Sequence, residues 1–246
     1  RAALVRNNAM TSEQVMRYRV AAFLDEAAAV VPGPQLPISV EVVSSGLRLS
    51  PVGRGSLGTS HPWDHPRATD LPVLVDRVVV EDVVDEARAA PDREIAGFLF
   101  GHLHRDSETR EVFLVVTGLA TAAETALSAG TSVTYTPESF TRARDMLRLR
   151  AANEFICGWY HSHPFLLCAE CPLPTPPECL AKVLSYSDDD LHLMETTFEQ
   201  PFMVGLLATI DPRVETTLGH LPIKLFGWRD GEVQSRGFDV LEIGAV

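Results

Sequence analysis

Phe155-Ile156-Cys157-Gly158-Trp159-Tyr160-His161-Ser162-His163-Pro164 is an apolar run that ends in two histidines one residue apart. A short run of apolar and aromatic side chains of this kind predicts a buried strand over 155–160 that delivers the histidines at its end. Side chains alternate across a strand, so His161 and His163 point to the same face. Two imidazoles on one face can reach one metal ion, and packing alone gives little reason to set such a pair at the mouth of a buried strand. A catalytic zinc ion takes three protein ligands and keeps a fourth position open. The rest of the chain therefore has to be read for a third ligand and a base.

Outward from this strand, both flanks alternate between strand and helix signals. Upstream, Val73–Val80 reads as a strand, 81–90 as an acidic helix and Ile95–Phe100 as a buried strand. A turn follows around Arg105-Asp106-Ser107-Glu108, Glu111–Leu119 pairs back as the next strand, and 120–132 is a small, polar loop. Thr136-Pro137-Glu138 is a helix start, with Thr as N-cap and Pro in the first turn. Downstream, 188–199 reads as a short helix, Phe202–Ile210 as a strand, and 217–245 as two more strands around Asp230-Gly231. Mixed strands and helices in one unit indicate an α/β or α+β sandwich over 73–246. Residues 1–72 form an N-terminal extension: a helix over 11–31 with Thr11 and Gln14 as its capping box, a strand over 38–43, and a Pro/Gly-rich arm from Ser50 to Pro72.

Composition narrows the classes of function. The chain has 246 residues, 46% of them hydrophobic, and a net charge of −12. Nucleic-acid binding needs clustered Lys and Arg to neutralise phosphates, so an acidic chain is not expected to bind nucleic acid. No apolar run reaches the 18 or so residues of a membrane span. The first residues lack the apolar stretch of a secretory signal, and three of four cysteines crowd into 168–179, unlike a disulfide framework. The expected location is cytoplasmic, with no membrane partner.

The third ligand is sought in Ser185-Tyr186-Ser187-Asp188-Asp189-Asp190-Leu191-His192, where Ser187 can cap a helix whose first turn holds three aspartates. A helix N-terminus favours ionised carboxylates, the state a metal ligand needs. Glu94, at the edge of the apolar strand that begins at Ile95, is placed to accept a proton. Taken together, Glu94-x-x-Gly97-x-Leu99-x-Gly101, His161-x-His163-Pro164 and Ser187-x-x-Asp190 resemble the motif of the JAMM (MPN+) zinc metalloproteases, across 73–246 and in the same order of elements. The resemblance implies the MPN fold, a mixed sheet of the cytidine-deaminase-like kind sandwiched by helices. It also implies a zinc isopeptidase or peptidase that cuts after the C-terminal glycine of ubiquitin or a ubiquitin-like protein. By the same resemblance His161, His163 and Asp190 ligate zinc, Glu94 is the general acid/base, and Ser187 helps to hold the oxyanion. A scaffold module without activity and a peptidase acting on a sulfur-carrier protein are the alternatives. A partner protein or a second copy of the chain is a further expectation.

The chain departs from the family pattern after Pro164. About seven residues usually separate that proline from the serine, whereas Phe165–Tyr186 here makes 22. The longer spacing leaves Ser185 with Asp188 as an alternative register, although Leu191 and His192 after Asp190 better resemble the residues after the family aspartate. The insertion carries Cys168, Cys171 and Cys179, which suit a second, structural zinc only if a fourth ligand joins them; His192 or a partner's residue would serve, and otherwise they are reduced thiols on a Pro-rich loop. His102 and His104 are expected to be solvated turn residues, and His61 and His65 to lie in the arm.

Overall fold

The computed structural model describes residues 49–122, 127–128, 133–164, 175–211, 213 and 222–242. The chain divides into two units, Arg1–Ser44 and Ser45–Val246, and the described residues belong to the second. The helix and strand expected over 11–31 and 38–43 lie outside the described residues.

Twelve strands and four helices are described: β1 (Ser50–Val52), β2 (Thr59–Trp63), β3 (Val73–Asp76), α1 (Arg77–Ala89), β4 (Ala96–Asp106), β5 (Val112–Thr121), β6 (Leu127–Ser128), β7 (Val133–Thr134), α2 (Pro137–Arg150), β8 (Phe155–Pro164), α3 (Pro177–Val183), α4 (Asp188–Thr196), β9 (Val204–Ile210), β10 (Ile223–Arg229), β11 (Glu232–Arg236) and β12 (Phe238–Glu242). The main sheet is mixed, in the order β11-β10-β9-β8-β4-β5-β3-β12-β2, with β1 on the far end of β4. β8 therefore lies in mid-sheet, antiparallel to β4 and parallel to β9. Its period-2 alternation sorts the core into two layers. On one face Leu99 and Tyr160 pack with Val79, Val80, Val83, Val84 and Ala87 of α1. On the other, Phe98, Phe100 and Trp159 pack with Ala143 of α2 and with Met194 and Phe198 at α4. This is the helix-sheet-helix sandwich of the expected MPN fold.

The glycines of the Glu94 motif have a packing reason. A Cβ on Gly97 would lie 2.3 Å from the Ala120 carbonyl oxygen and 2.4 Å from the Tyr160 ring, and one on Gly101 would lie 2.2 Å from the Val115 carbonyl oxygen. Only glycine lets β5 and β8 close on β4 at these points.

Several elements differ from expectation. The strand from Val73 stops at Asp76, because the Asp76 side chain accepts a hydrogen bond from Val78 N–H and starts α1 there. Residues 50–63, read as part of a linker or ordered arm, carry two strands: β1 pairs with β4 and β2 with β12, which joins them to the sheet. His102 and His104 lie inside β4 rather than in a turn, and His104 Nδ1 is 2.7 Å from Ser50 Oγ. The last strands number three: β10 and β11 meet at Asp230-Gly231, both with positive φ as an Asp-Gly hairpin turn needs, and β12 follows. Helix α3, within the insertion, was not anticipated. Among the described residues no helix is long and apolar enough to cross a membrane.

Candidate metal centre

β8 places His161 and His163 on the face covered by α2 and α4, as the alternation requires. The third group arrives on α4. Ser187 is its N-cap, and Ser187 and Asp190 form a reciprocal capping box: Ser187 Oγ accepts from Asp190 N–H at 3.2 Å, and Asp190 Oδ2 accepts from Ser187 N–H at 2.8 Å. The same carboxylate faces the histidines. His161 Nε2 lies 3.2 Å from Asp190 Oδ1, His163 Nε2 lies 3.5 Å from Asp190 Oδ2, and the two Nε2 atoms are 3.1 Å apart. Asp188 is exposed, and Ser185 Oγ donates instead to the Lys182 carbonyl, so the histidines meet Asp190 rather than the alternative register.

These spacings test the donor set for a metal. Nitrogen and oxygen ligands about 2.0–2.1 Å from a tetrahedral zinc ion sit about 3.3–3.4 Å from one another. The two Nε2 atoms, 3.1 Å apart, come close to that edge length, and with one atom taken from each of His161, His163 and Asp190 the three lie within 4.8 Å of one another. The electrostatics agree in part. Burial pushes the His161 imidazolium down, which favours the neutral ring. Burial of Asp190 opposes ionisation, yet its hydrogen bonds to His161, His163 and the Ser187 N–H hold it far below the usual carboxylate range. For His163 burial is outweighed by Asp190 and by the Val183 carbonyl, which raise its affinity for a proton, so a metal would have to compete for that ring. Two imidazoles and one ionised carboxylate are a donor set that fits zinc.

The two rings are held differently. His161 is buried and stacks on Trp159 with ring centroids 4.3 Å apart and planes 5° from parallel. Its Nδ1 is buried and has no hydrogen-bond partner among the described residues, so stacking orients it. His163 is more open, with 17% side-chain exposure, and its Nδ1 lies 2.8 Å from the Val183 carbonyl oxygen at the end of α3.

Glu94 enters through strand register. Ala96 pairs with His161, and Ser162 extends the pairing beyond it: Ser162 N–H donates to the Ile95 carbonyl at 2.9 Å and Ser162 Oγ accepts from Ile95 N–H at 3.2 Å. Continuing that register sets Glu94 beside His163. Its carboxyl is pushed up to about 7, first by burial and then by the charge of Asp190, against the opposing pull of His163. A carboxyl near neutrality can both take and return a proton. Glu94, Trp159, His161, Ser187, Asp190 and His192 share one cavity of about 400 Å³. The Ser187 hydroxyl donates to Asp190 Oδ2 at 2.7 Å and would have to turn to reach a substrate oxygen.

Sequence reasoning missed three contributors: Ser162, Trp159 and the Val183 carbonyl. The buried polar Ser162 between two histidines was a usable signal, whereas a main-chain carbonyl leaves none. Cys179 lies half-buried on α3, while Cys168 and Cys171 of the suggested second zinc site lie outside the described residues. His192 lines the cavity that Glu94 and Asp190 share.

Residues 69–171 match the model of the family described as JAB1/Mov34/MPN/PAD-1 ubiquitin protease. Residues 69–171 thus resemble a JAB/MPN domain, a family that includes zinc metallopeptidases as well as inactive members. The matched stretch contains Glu94, His161 and His163 and ends before Ser187 and Asp190, which the fold brings to them. No curated protein matches the chain. Among solved structures that match is the solution structure of a Desulfitobacterium hafniense protein, with 19% identity, a TM-score of 0.45, and coverage of 69% of this chain and 93% of that one.

Proposed function

We propose that this protein is a zinc-dependent isopeptidase or peptidase that cleaves after the C-terminal glycine of a ubiquitin-like protein, acting in the cytoplasm. The observation that carries the proposal is the convergence of His161, His163 and Asp190, with ligand atoms within 4.8 Å of one another, beside Glu94. A zinc ion held by these three side chains would supply a Lewis acid for the scissile carbonyl and would acidify a water. Glu94 takes the proton from the attacking water and delivers it to the leaving amine, for which a carboxyl near pKa 7 is suited. The Ser187 hydroxyl, at the mouth of the cavity, turns from Asp190 toward the oxyanion as charge develops there. Phe140, Trp159 and Leu193 give the cavity an apolar wall against which an extended tail can lie.

The test is incubation of the full chain with candidate ubiquitin-like fusions and sulfur-carrier adducts, with and without a chelator, beside Glu94→Gln. Cleavage that needs metal and is lost in Glu94→Gln, with zinc binding retained, supports the proposal. Cleavage unaffected by Glu94→Gln refutes the role of that residue, and zinc uptake without cleavage of any fusion favours a scaffold module.

A further inference from the structure

We infer that helix α3 is the outer support of His163, and that the insertion after Pro164 thereby sets how tightly the centre holds its metal. The inference rests on reading His161, His163 and Asp190 as metal ligands. A carbonyl oxygen only accepts hydrogen bonds, so the 2.8 Å contact between His163 Nδ1 and the Val183 carbonyl places the ring hydrogen on Nδ1. In the neutral ring, Nε2 then carries the lone pair, and Nε2 is the atom that faces His161 and Asp190. The arrangement satisfies both sides, because the last carbonyls of a helix lack donors within it and Val183 is the last residue of α3.

α3 is clamped on both flanks, which lets a main-chain atom act as a fixed point. Before it, Thr175 Oγ1 donates to Asp211 Oδ2 at 2.9 Å, and Asp211 is held by Arg213 at 2.7 Å. Asp211 follows Ile210, the register partner of Pro164, so the insertion returns to the corner it left. After the helix, Leu184 packs on Leu207 and Phe226, and the Tyr186 ring stacks on Phe226 at 3.7 Å. His161 has Trp159 to orient it; His163, nearer the surface, has this carbonyl. Val183 is thus a positioning residue, acting through its backbone on a ligand.

The experiment uses the full chain. Nitrogen-15 NMR of the metal-free protein reads the tautomer of His163, and chelator competition reads zinc affinity, in wild type, Ala181→Pro, which breaks the last turn of α3, and Lys182→Ala as a control. Wild type is expected to show His163 protonated on Nδ1. Ala181→Pro is expected to show mixed tautomers and roughly 10–100-fold weaker zinc binding, with Lys182→Ala unchanged. Should Ala181→Pro not fold, Thr175→Val, which removes only the clamp to Asp211, is expected to shift both readouts the same way by less. His163 protonated on Nε2 in the wild type overturns the inference, as does a folded Ala181→Pro with wild-type zinc affinity. A wild type that takes up no zinc yet holds His163 as the Nδ1–H tautomer sinks the metal reading alone and leaves the positioning intact.

Discussion

Gly205→Ala offers a sharp test of how the site is braced. Gly205 lies on β9 beside the ligand strand. An added Cβ there would fall 1.8 Å from Tyr186 Oη, 2.9 Å from Trp159 Nε1 and 3.1 Å from Tyr186 Cζ. Relieving the first contact needs a shift of about 1.5 Å, taking ordinary carbon–oxygen contact as about 3.3–3.4 Å. Neither neighbour moves freely, since Tyr186 stacks on Phe226 at 3.7 Å and the buried Trp159 stacks on His161 at 4.3 Å. The displacement passes to Ser187, next in the chain, and to His161. Overpacking of this kind costs about 1–3 kcal/mol, partly offset by about 0.4–1 kcal/mol from the stiffer unfolded chain. The net cost is about 0–2.6 kcal/mol, so at about 2–4 °C per kcal/mol for a domain of this size Tm should fall by up to roughly 10 °C, and zinc affinity should fall with it. The Tyr186 hydroxyl is buried with no partner among the described residues, so Tyr186→Phe alone should be neutral or stabilising by up to about 1 kcal/mol. Combined with Gly205→Ala it removes the worst contact but leaves those at 2.9 and 3.1 Å, so rescue should be partial. Urea unfolding of the four proteins should give a coupling of about 1–2 kcal/mol. Strict additivity of the two substitutions would refute the packing described.

Other outcomes follow from the same geometry. Glu94→Gln should stabilise the metal-free protein by about 1–2 kcal/mol at pH 8 and hardly at pH 4.5: a carboxyl whose pKa rises to about 7 on folding makes the folded state bind more protons, so stability falls as pH rises between about 4.5 and 7, and glutamine abolishes that loss. Equal effects at the two pH values in urea titrations would contradict this. Asp190→Asn should weaken zinc binding at least 100-fold while Asp188→Asn leaves it unchanged, as read by chelator competition; the reverse would exchange the ligand. Stripping zinc held at 100 times its Kd should remove about 2.7 kcal/mol of stability and lower Tm by roughly 5–10 °C in calorimetry, and an unchanged Tm would argue that no metal is bound there.

Much of the fold was readable because its signals are local. The alternation of 155–164, the cap at Thr136-Pro137 and the Asp230-Gly231 turn each depend on neighbours within a few residues, and each element formed where expected. The misreadings came where distant contacts compete with local pattern. Ser50–Val52 looks like a linker, but the far end of β4 extends past its pairing with β8 and leaves an edge that β1 fills. The same contact turns His104 from a turn residue into a strand residue bonded to Ser50.

For the site, two-residue periodicity alone determined that His161 and His163 share a face, and N-capping chemistry determined that Ser187 and Asp190 face each other across one helical turn. Which aspartate meets the histidines, and that Glu94 comes beside His163, depend on strand register and on where α4 is docked, quantities set by packing over tens of residues. The use of the insertion is the extreme case. Val183 acts through a carbonyl that every residue possesses, so no side chain announces it, and only the tertiary structure brings it to His163.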